Sequence, residues 1–362
     1  MLLNIGIIHG FVGGGGGTEK TLDAILESFE LSDHNVTLFT FSKPKISSKK
    51  IKIKSFLPIS IPYFGLYQRI MESWLIKKAK NEDCLIQTSG GFCIPENPNQ
   101  KIIIYCHNDF SNELENPLTK YKGIWSLYYK LYYKMLKKFI VNISDPRIIL
   151  LSNSIFIQNS IKIKFGKDST VIYPPVNIHD FKINQNQNQV ITIGRFSEEK
   201  NFDFGIDVMS QIKIPYNIIG NTRTKSNIVY FEKLESKIKK LKLEYQIKLY
   251  KNIERINLID KITESKVYFH TSKETFGISV VESIAAGCIP IVPDNSAHKE
   301  TVPFLELRYN ENDIDDARNK IERAINGEFE HLIKPLQDSI KKFSKEHFQQ
   351  SFLKFIETKL SR

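Results

Sequence analysis

Short apolar runs rich in β-branched residues alternate along the chain with stretches whose apolar positions recur every three to four residues. The runs read as strands and the spaced stretches as amphipathic helices. Their regular alternation predicts parallel sheets joined by crossover helices. In the first half "NIGIIHG" (4–10), "NVTLFTF" (35–41), "DCLIQTS" (83–89), "KIIIYCH" (101–107) and "RIILLSNS" (147–154) are predicted strands. "TEKTLDAILESFEL" (18–31) and "GIWSLYYKLYYKMLKKFIV" (123–141) are predicted helices, the second with aromatic and aliphatic residues on one side and lysines on the other.

The pattern restarts in the second half, with strands at 189–195, 216–221, 246–252, 266–272 and 288–293 and helices at 201–212, 230–244 and 277–286. Gly287 stands where a helix closes with a left-handed residue. The two series meet at "YPPVNIHDF" (173–181) and a polar Asn/Gln run (184–189), where Pro174 and Pro175 disfavour helix. The expectation is an α/β protein of two Rossmann-like domains, over 1–176 and 177–340. A closing segment, 341–362, holds an amphipathic helix (343–360) that must dock to be ordered.

Composition narrows the function classes without choosing one. At 362 residues, 41% hydrophobic and 25% charged, the chain has ordinary globular content. No apolar stretch approaches the roughly 20 residues of a membrane span, and the first residues lack a secretory pattern. Cys84, Cys93, Cys106 and Cys288 show no metal-ligand spacing and read as buried, reduced thiols. The formal charge of +11 suits a polyanionic partner, but much of it is single lysines dispersed among isoleucines, and no nucleic-acid module is visible.

Three strand-to-helix loops carry the chemistry, since ligands of open α/β sheets bind beyond the carboxyl ends of the strands. In "GFVGGGGGTEK" the glycines Gly13 to Gly17 let backbone amides approach an anion at a helix start. The loop fits neither a dinucleotide fingerprint nor a Walker loop. In "GRFSEEKN" Arg195 and Lys200 bracket a turn before a helix, an arrangement that suits a diphosphate or, alternatively, a pair of surface cations partnered by Glu198 and Glu199. In "SKETFGISVVESIAAGCIPIV" Glu274 lies in a loop and Glu282 inside the following helix. At about 1.5 Å per residue this puts their carboxylates about 10 Å apart. That is wide for a glycosidase pair and suits two hydroxyl-bearing ends of one ligand.

"ETFGISVVE" matches the E-x7-E element of retaining glycosyltransferases of the large GT-B family four, and "GRFSEEKN" resembles its G-R-x-x-x-x-K-N element. "VGGGGGTEKTL", "YCHND" and "SNSIFIQNSI" resemble its glycine loop, its histidine loop and the strand and helix before its linker. "YPPVN" and "IVYFEKLESKIKKL" are closest to the dolichol-pathway α-1,2-mannosyltransferase branch and its prokaryotic relatives. The resemblance runs over nearly the whole chain. It implies a GT-B fold, two Rossmann-like domains facing a cleft, with the last helix returning to the amino-terminal domain. By position, Glu274 would meet the donor sugar's hydroxyls and Glu282 the ribose. Gly194, Arg195 and Lys200 would meet the diphosphate, and the amides of Phe276, Gly277 and Ile278 sugar and phosphate. His107 would lie near the transferred sugar, and Gly14, Gly15, Gly16 and Gly17 would close on donor or acceptor phosphate.

One departure stands out: where relatives often continue Gly-Gly-Pro-Lys, this chain has Ala297, His298, Lys299 and Glu300. The expectation is a cytoplasmic enzyme using GDP-mannose or a UDP-sugar, with no metal; the only D-x-D, Asp313–Asp315, reads as an acidic helix start. The acceptor is a lipid-linked saccharide, with no nucleic-acid partner. Aromatic residues and lysines in 55–80 and 121–139 suggest peripheral contact with an anionic membrane. The alternatives from other classes are a nicotinamide-dependent oxidoreductase and a non-catalytic sugar-nucleotide binder.

Overall fold

The computed structural model describes residues 2–10, 16–41, 44, 48, 50–56, 65–88, 93–108, 123–182 and 187–360. The chain forms two compact units, one of 1–175 with 346–362 and the other of 176–345. The two chain crossings are held side by side by an isolated bridge between Val176 and Ser344.

The first unit is a seven-stranded parallel sheet of β1 (Asn4–Ile8), β2 (Asn35–Thr40), β3 (Lys52–Ser55), β4 (Cys84–Gln87), β5 (Lys101–Cys106), β6 (Ile148–Ser152) and β7 (Ser169–Val171), in the order 3-2-1-4-5-6-7. Alternate residues feed two different cores. Ile103 and Tyr105 of β5 join one cluster, and Ile102, Ile104 and Cys106 the other. Because both faces are covered, the strands read as continuous apolar runs. The closing helix Lys345–Leu360 belongs to this unit and buries Phe348, Phe352, Phe355 and Ile356 in the cluster of Ile5, Leu22 and Phe29. Phe352 meets Phe29 edge-on with centroids 5.9 Å apart. Each such side chain contributes about 1.5–3 kcal/mol on burial, which fixes the amphipathic helix where its pattern requires a dock.

The second unit is a six-stranded parallel sheet of β8 (Gln187–Arg195), β9 (Tyr216–Asn221), β10 (Ile247–Lys251), β11 (Ser265–Phe269), β12 (Ile289–Pro293) and β13 (Arg308–Tyr309), in the order 10-9-8-11-12-13. Both sheets are wound in two directions from one strand pair, β1/β4 and β8/β11.

The edge strands β3, β7 and β13 escape the sequence pattern because they are only 2–4 residues long. The helix expected at 230–244 runs over Lys225–Lys240 instead, because Thr224 caps it. The Thr224 hydroxyl accepts from the Asn227 N–H at 3.2 Å, and the Asn227 side chain accepts from the Thr224 N–H at 3.1 Å. Likewise β8 already begins at Gln187, inside the polar run read as a joint. Gly287 is left-handed at φ 89°, and Asp313 caps the helix Ile314–Ile325 by accepting from the Asp316 N–H.

Candidate active site

At the β8/β11 switch point, β8 delivers Gly194 and Arg195 and then turns through Glu198–Lys200 into the helix Phe202–Met209. A β-carbon on Gly194 would come within 3.2 Å of Phe202 and 3.4 Å of the Lys200 stem, so the glycine lets Lys200 lie close over the strand end. Asn201 takes a left-handed conformation, φ 51°, to reverse the chain. The Thr271 hydroxyl, from the loop after β11, donates to the Lys200 carbonyl at 2.6 Å. The two loops are thereby tied together, and the Lys200 ammonium pairs with Glu274 Oε1.

That pair is mostly enclosed, with side chains 16% and 20% exposed. Burial alone would push the Glu274 pKa up. The Lys200 ammonium, and then His270, whose Nε2 lies 3.3 Å from Oε1, outweigh it and hold the carboxyl well below its usual range. Arg195 does not join this pair: it reaches Glu199 at 2.6 Å on the exposed side of the turn. The structure therefore unites Lys200 with Glu274 and turns the Arg195 guanidinium toward a surface partner.

After Glu274 comes Phe276, buried edge-on against Phe343 at 5.1 Å. Gly277, at φ 90°, opens the helix Ile278–Ala285. The first N–H groups of any helix lack intrahelical partners and carry partial positive charge, so this start faces an anion favourably. Glu282 sits inside the helix with its side chain 5% exposed and takes Arg255 Nη2 at 2.9 Å. Arg255 also lies 3.7 Å from Asp180 and over the Phe181 ring. Glu274 and Glu282 thus each have a cation, which offsets the cost of burying a bare charge.

In the first unit, His107 follows β5. Its Nε2 is enclosed and makes no hydrogen bond among the described residues. Burial, then the neighbouring His9, lowers its pKa to about 4. His9, at the end of β1, meets the Thr88 hydroxyl after β4 at 2.6 Å. Glu72, buried behind them, accepts from Gln87 Nε2 at 3.2 Å. Gly16 and Gly17 open the helix Gly17–Glu30, where the Gly16 N–H donates to Glu19 Oε2 at 3.1 Å and a β-carbon on Gly16 would meet nothing. Gly14 and Gly15 lie outside the described residues. A cavity of about 670 Å³ lined by Leu2, Leu31, His34 and Leu360 lies at the other end of these strands and carries none of this chemistry.

Sequence reasoning gave no role to His9, Tyr268, His270 and Arg255, and named His298 only as a departure from the relatives. The run "YFHTSKE" hinted at Tyr268 and His270, since His270 stands four residues before Glu274. Burial pushes the Cys84 and Cys288 thiols up to about 12, consistent with inert core cysteines.

Residues 176–347 match the glycosyl transferases group 1 family. Over 274 residues the chain is 26% identical to a GDP-Man:Man(3)GlcNAc(2)-PP-Dol alpha-1,2-mannosyltransferase of Dictyostelium discoideum, a match covering 68% of this chain and 54% of that protein. The chain thus spans about half the length of that curated relative. Among solved structures, a sucrose-phosphate synthase of Thermosynechococcus elongatus superposes with TM-score 0.80 at 13% identity, covering 99% of each chain. The Anabaena HepE protein in complex with UDP and glucose gives 0.74 at 14% identity, covering 99% of this chain and 100% of that one. At these identities the likeness shows the fold: the seven- and six-stranded parallel sheets match glycosyltransferase structures of the GT-B fold, as the sequence resemblance implies.

Proposed function

We propose, from the match of residues 176–347 to the glycosyl transferases group 1 family, that this chain is a retaining glycosyltransferase of family four. It moves a hexose from a nucleotide-diphosphate sugar to a lipid-linked saccharide. The observation that carries the reading is the Lys200–Glu274 ion pair at the switch point of the second sheet, with Glu282 and its own cation on the adjoining helix. Mannose from GDP-mannose is the favoured donor, because the curated relative is named for that sugar nucleotide and for a dolichol-linked acceptor. A UDP-sugar is the second reading, favoured by the fold shared with a protein solved with UDP.

As the bond between the sugar and its diphosphate breaks, negative charge grows on the leaving oxygen. Lys200, Arg195 and the start of the helix Ile278–Ala285 offset it, with no metal required. Glu274 accepts hydrogen bonds from the sugar's hydroxyls, and Glu282 from the ribose. The acceptor hydroxyl attacks from the face the diphosphate leaves and passes its proton to the departing oxygen. His107, neutral at physiological pH, offers a hydrogen-bonding nitrogen rather than a charge.

The acceptor's lipid calls for a membrane surface. No described helix is long and apolar enough to cross a bilayer. The helix Ile124–Val141 instead exposes Leu127 (61%) and Leu131 (52%) beside the exposed Lys130, Lys134 and Lys137. This mixture suits peripheral docking on an anionic cytoplasmic leaflet. Of the other basic-aromatic segment, 57–64 lies outside the described residues, while Trp74 is 39% exposed with the Lys78 ammonium 5.0 Å from its ring.

A thermal-shift screen with GDP, UDP and NAD tests the reading. A bound ligand at 100 times its dissociation constant adds roughly 2.7 kcal/mol. Stabilisation by GDP or UDP but not NAD is expected; stabilisation by NAD alone would return the oxidoreductase alternative.

A further inference from the structure

Glu274 is held by several groups that the proposed chemistry does not use. Its main-chain N–H donates to the Ser296 hydroxyl at 3.1 Å, and its carbonyl accepts from the Ala297 N–H at 3.2 Å. Ser296 reaches it from a left-handed backbone, φ 51°, while donating to Asn295 Oδ1 at 3.0 Å. Two residues upstream, the Ser272 carbonyl accepts from His298 Nε2 at 2.9 Å. The loop after β12 therefore brackets the whole strand end from which the Glu274 side chain projects.

The carboxylate has a second bracket. His270 places Nε2 3.3 Å from Glu274 Oε1 and Nδ1 3.0 Å from the Tyr268 hydroxyl. Tyr268 in turn donates to Ser279 Oγ at 2.8 Å, in the first turn of the following helix. The rings of His270 and His298 stand edge-on, 4.8 Å apart and inclined at 65°, and both side chains are buried. In the proposed reaction, an arriving diphosphate draws the Lys200 ammonium toward itself. His270 is then the partner that stays on Glu274.

We propose that His270 and His298 form a positioning pair for Glu274. His270 fixes the carboxylate while substrate engages Lys200, and His298 fixes the peptide that carries it. Neither touches substrate, and the pair rests on the sugar-binding role of Glu274 given above. A displacement of about 1 Å in a reacting geometry costs up to about a hundredfold in rate, so the pair acts on turnover rather than on nucleotide affinity.

The test uses His270→Ala, His270→Gln and His298→Phe in the full chain. Each is checked for folding by thermal melting, then assayed for kcat, for KM of the sugar nucleotide, and for Kd of GDP and UDP. His270→Ala and His298→Phe are expected to lose about tenfold to a hundredfold in kcat with nucleotide Kd within about twofold of wild type. His270→Gln, whose amide can still donate to the carboxylate, recovers most of the loss. The pair is overturned if folded His270→Ala keeps wild-type kcat, if the Gln variant is as poor as Ala, or if nucleotide Kd rises in step with the loss. Glu274→Gln separates the two layers. If it turns over like wild type, the site reading fails and takes the pair with it. If it is crippled while His270→Ala is not, only the pair fails.

Discussion

The two sheets share a winding plan and differ in what they place at its turning point. Beyond β1 and β4 stand His9 and Thr88, joined by a 2.6 Å hydrogen bond, with His107, which burial keeps neutral down to about pH 4, after β5. Beyond β8 and β11 stand Lys200 and Glu274, with Arg255 and Glu282 next to them: cations and carboxylates in pairs. A shared winding plan thus supports different electrostatics. A turning point of histidine and threonine can read hydroxyls, whereas paired charges can open onto a diphosphate and the sugars either side of it. The fold supplies the place, and the side chains decide what the place is for.

The comparison breaks first at Lys200. Lys200→Ala is expected to lower kcat by about 10²–10³, the scale for removing one preorganised electrostatic contact to the developing charge. It also leaves Glu274 without its ammonium partner, with His270 still beside it, a loss of stability visible as a lower melting temperature. Arg195→Ala should lower turnover too but leave melting unchanged, because its partner Glu199 is exposed and such pairs contribute little. Equal melting of the two variants would contradict the enclosed pair.

A second effect separates the turning points by pH. The folded pKa of His107, about 4, lies below its ordinary 6.5. Its neutral form therefore stabilises the fold above 6.5, and that contribution is lost as pH falls toward 4. His298, lowered by burial and then by His270 to about 3, acts in the same sense. Glu274 is depressed from 4.5, so its contribution stands above 4.5 and is lost only in stronger acid. In melting curves against pH, His107→Asn should remove part of the decline between 6.5 and 4. Glu274→Gln should change the slope only below 4.5. The reverse assignment would dissolve the contrast.

Much of the plan was legible in the chain because it is local. Apolar runs gave the strands, Gly287 a helix end and Asp313 a helix cap. Loops after the strand ends pointed to Lys200 and Glu274. The partners were not legible. His298 meets a carbonyl 26 positions away, Arg255 a carboxylate 27 away, and Lys200 pairs across 74. Such pairings depend on which strands become neighbours, and nothing in a local pattern records that. Arg195 shows the converse. Its exposed i,i+4 partner was in plain view, and that local interaction holds the guanidinium.

The smallest effect concerns the surface of the first unit. Replacing Lys130, Lys134 and Lys137 with Gln should weaken flotation on phosphatidylserine vesicles by about 1 kcal/mol per residue and blunt its salt dependence. Unchanged flotation would move the docking surface elsewhere.

The central claim is that Glu274 and Glu282 hold different ends of one sugar nucleotide. It is tested most directly by calorimetric GDP and UDP affinity of Glu274→Gln and Glu282→Gln beside their transfer rates. The account predicts that Glu282→Gln weakens binding of the free nucleotide, whereas Glu274→Gln spares that affinity and loses sugar transfer. Equal losses of nucleotide affinity in both variants would contradict it.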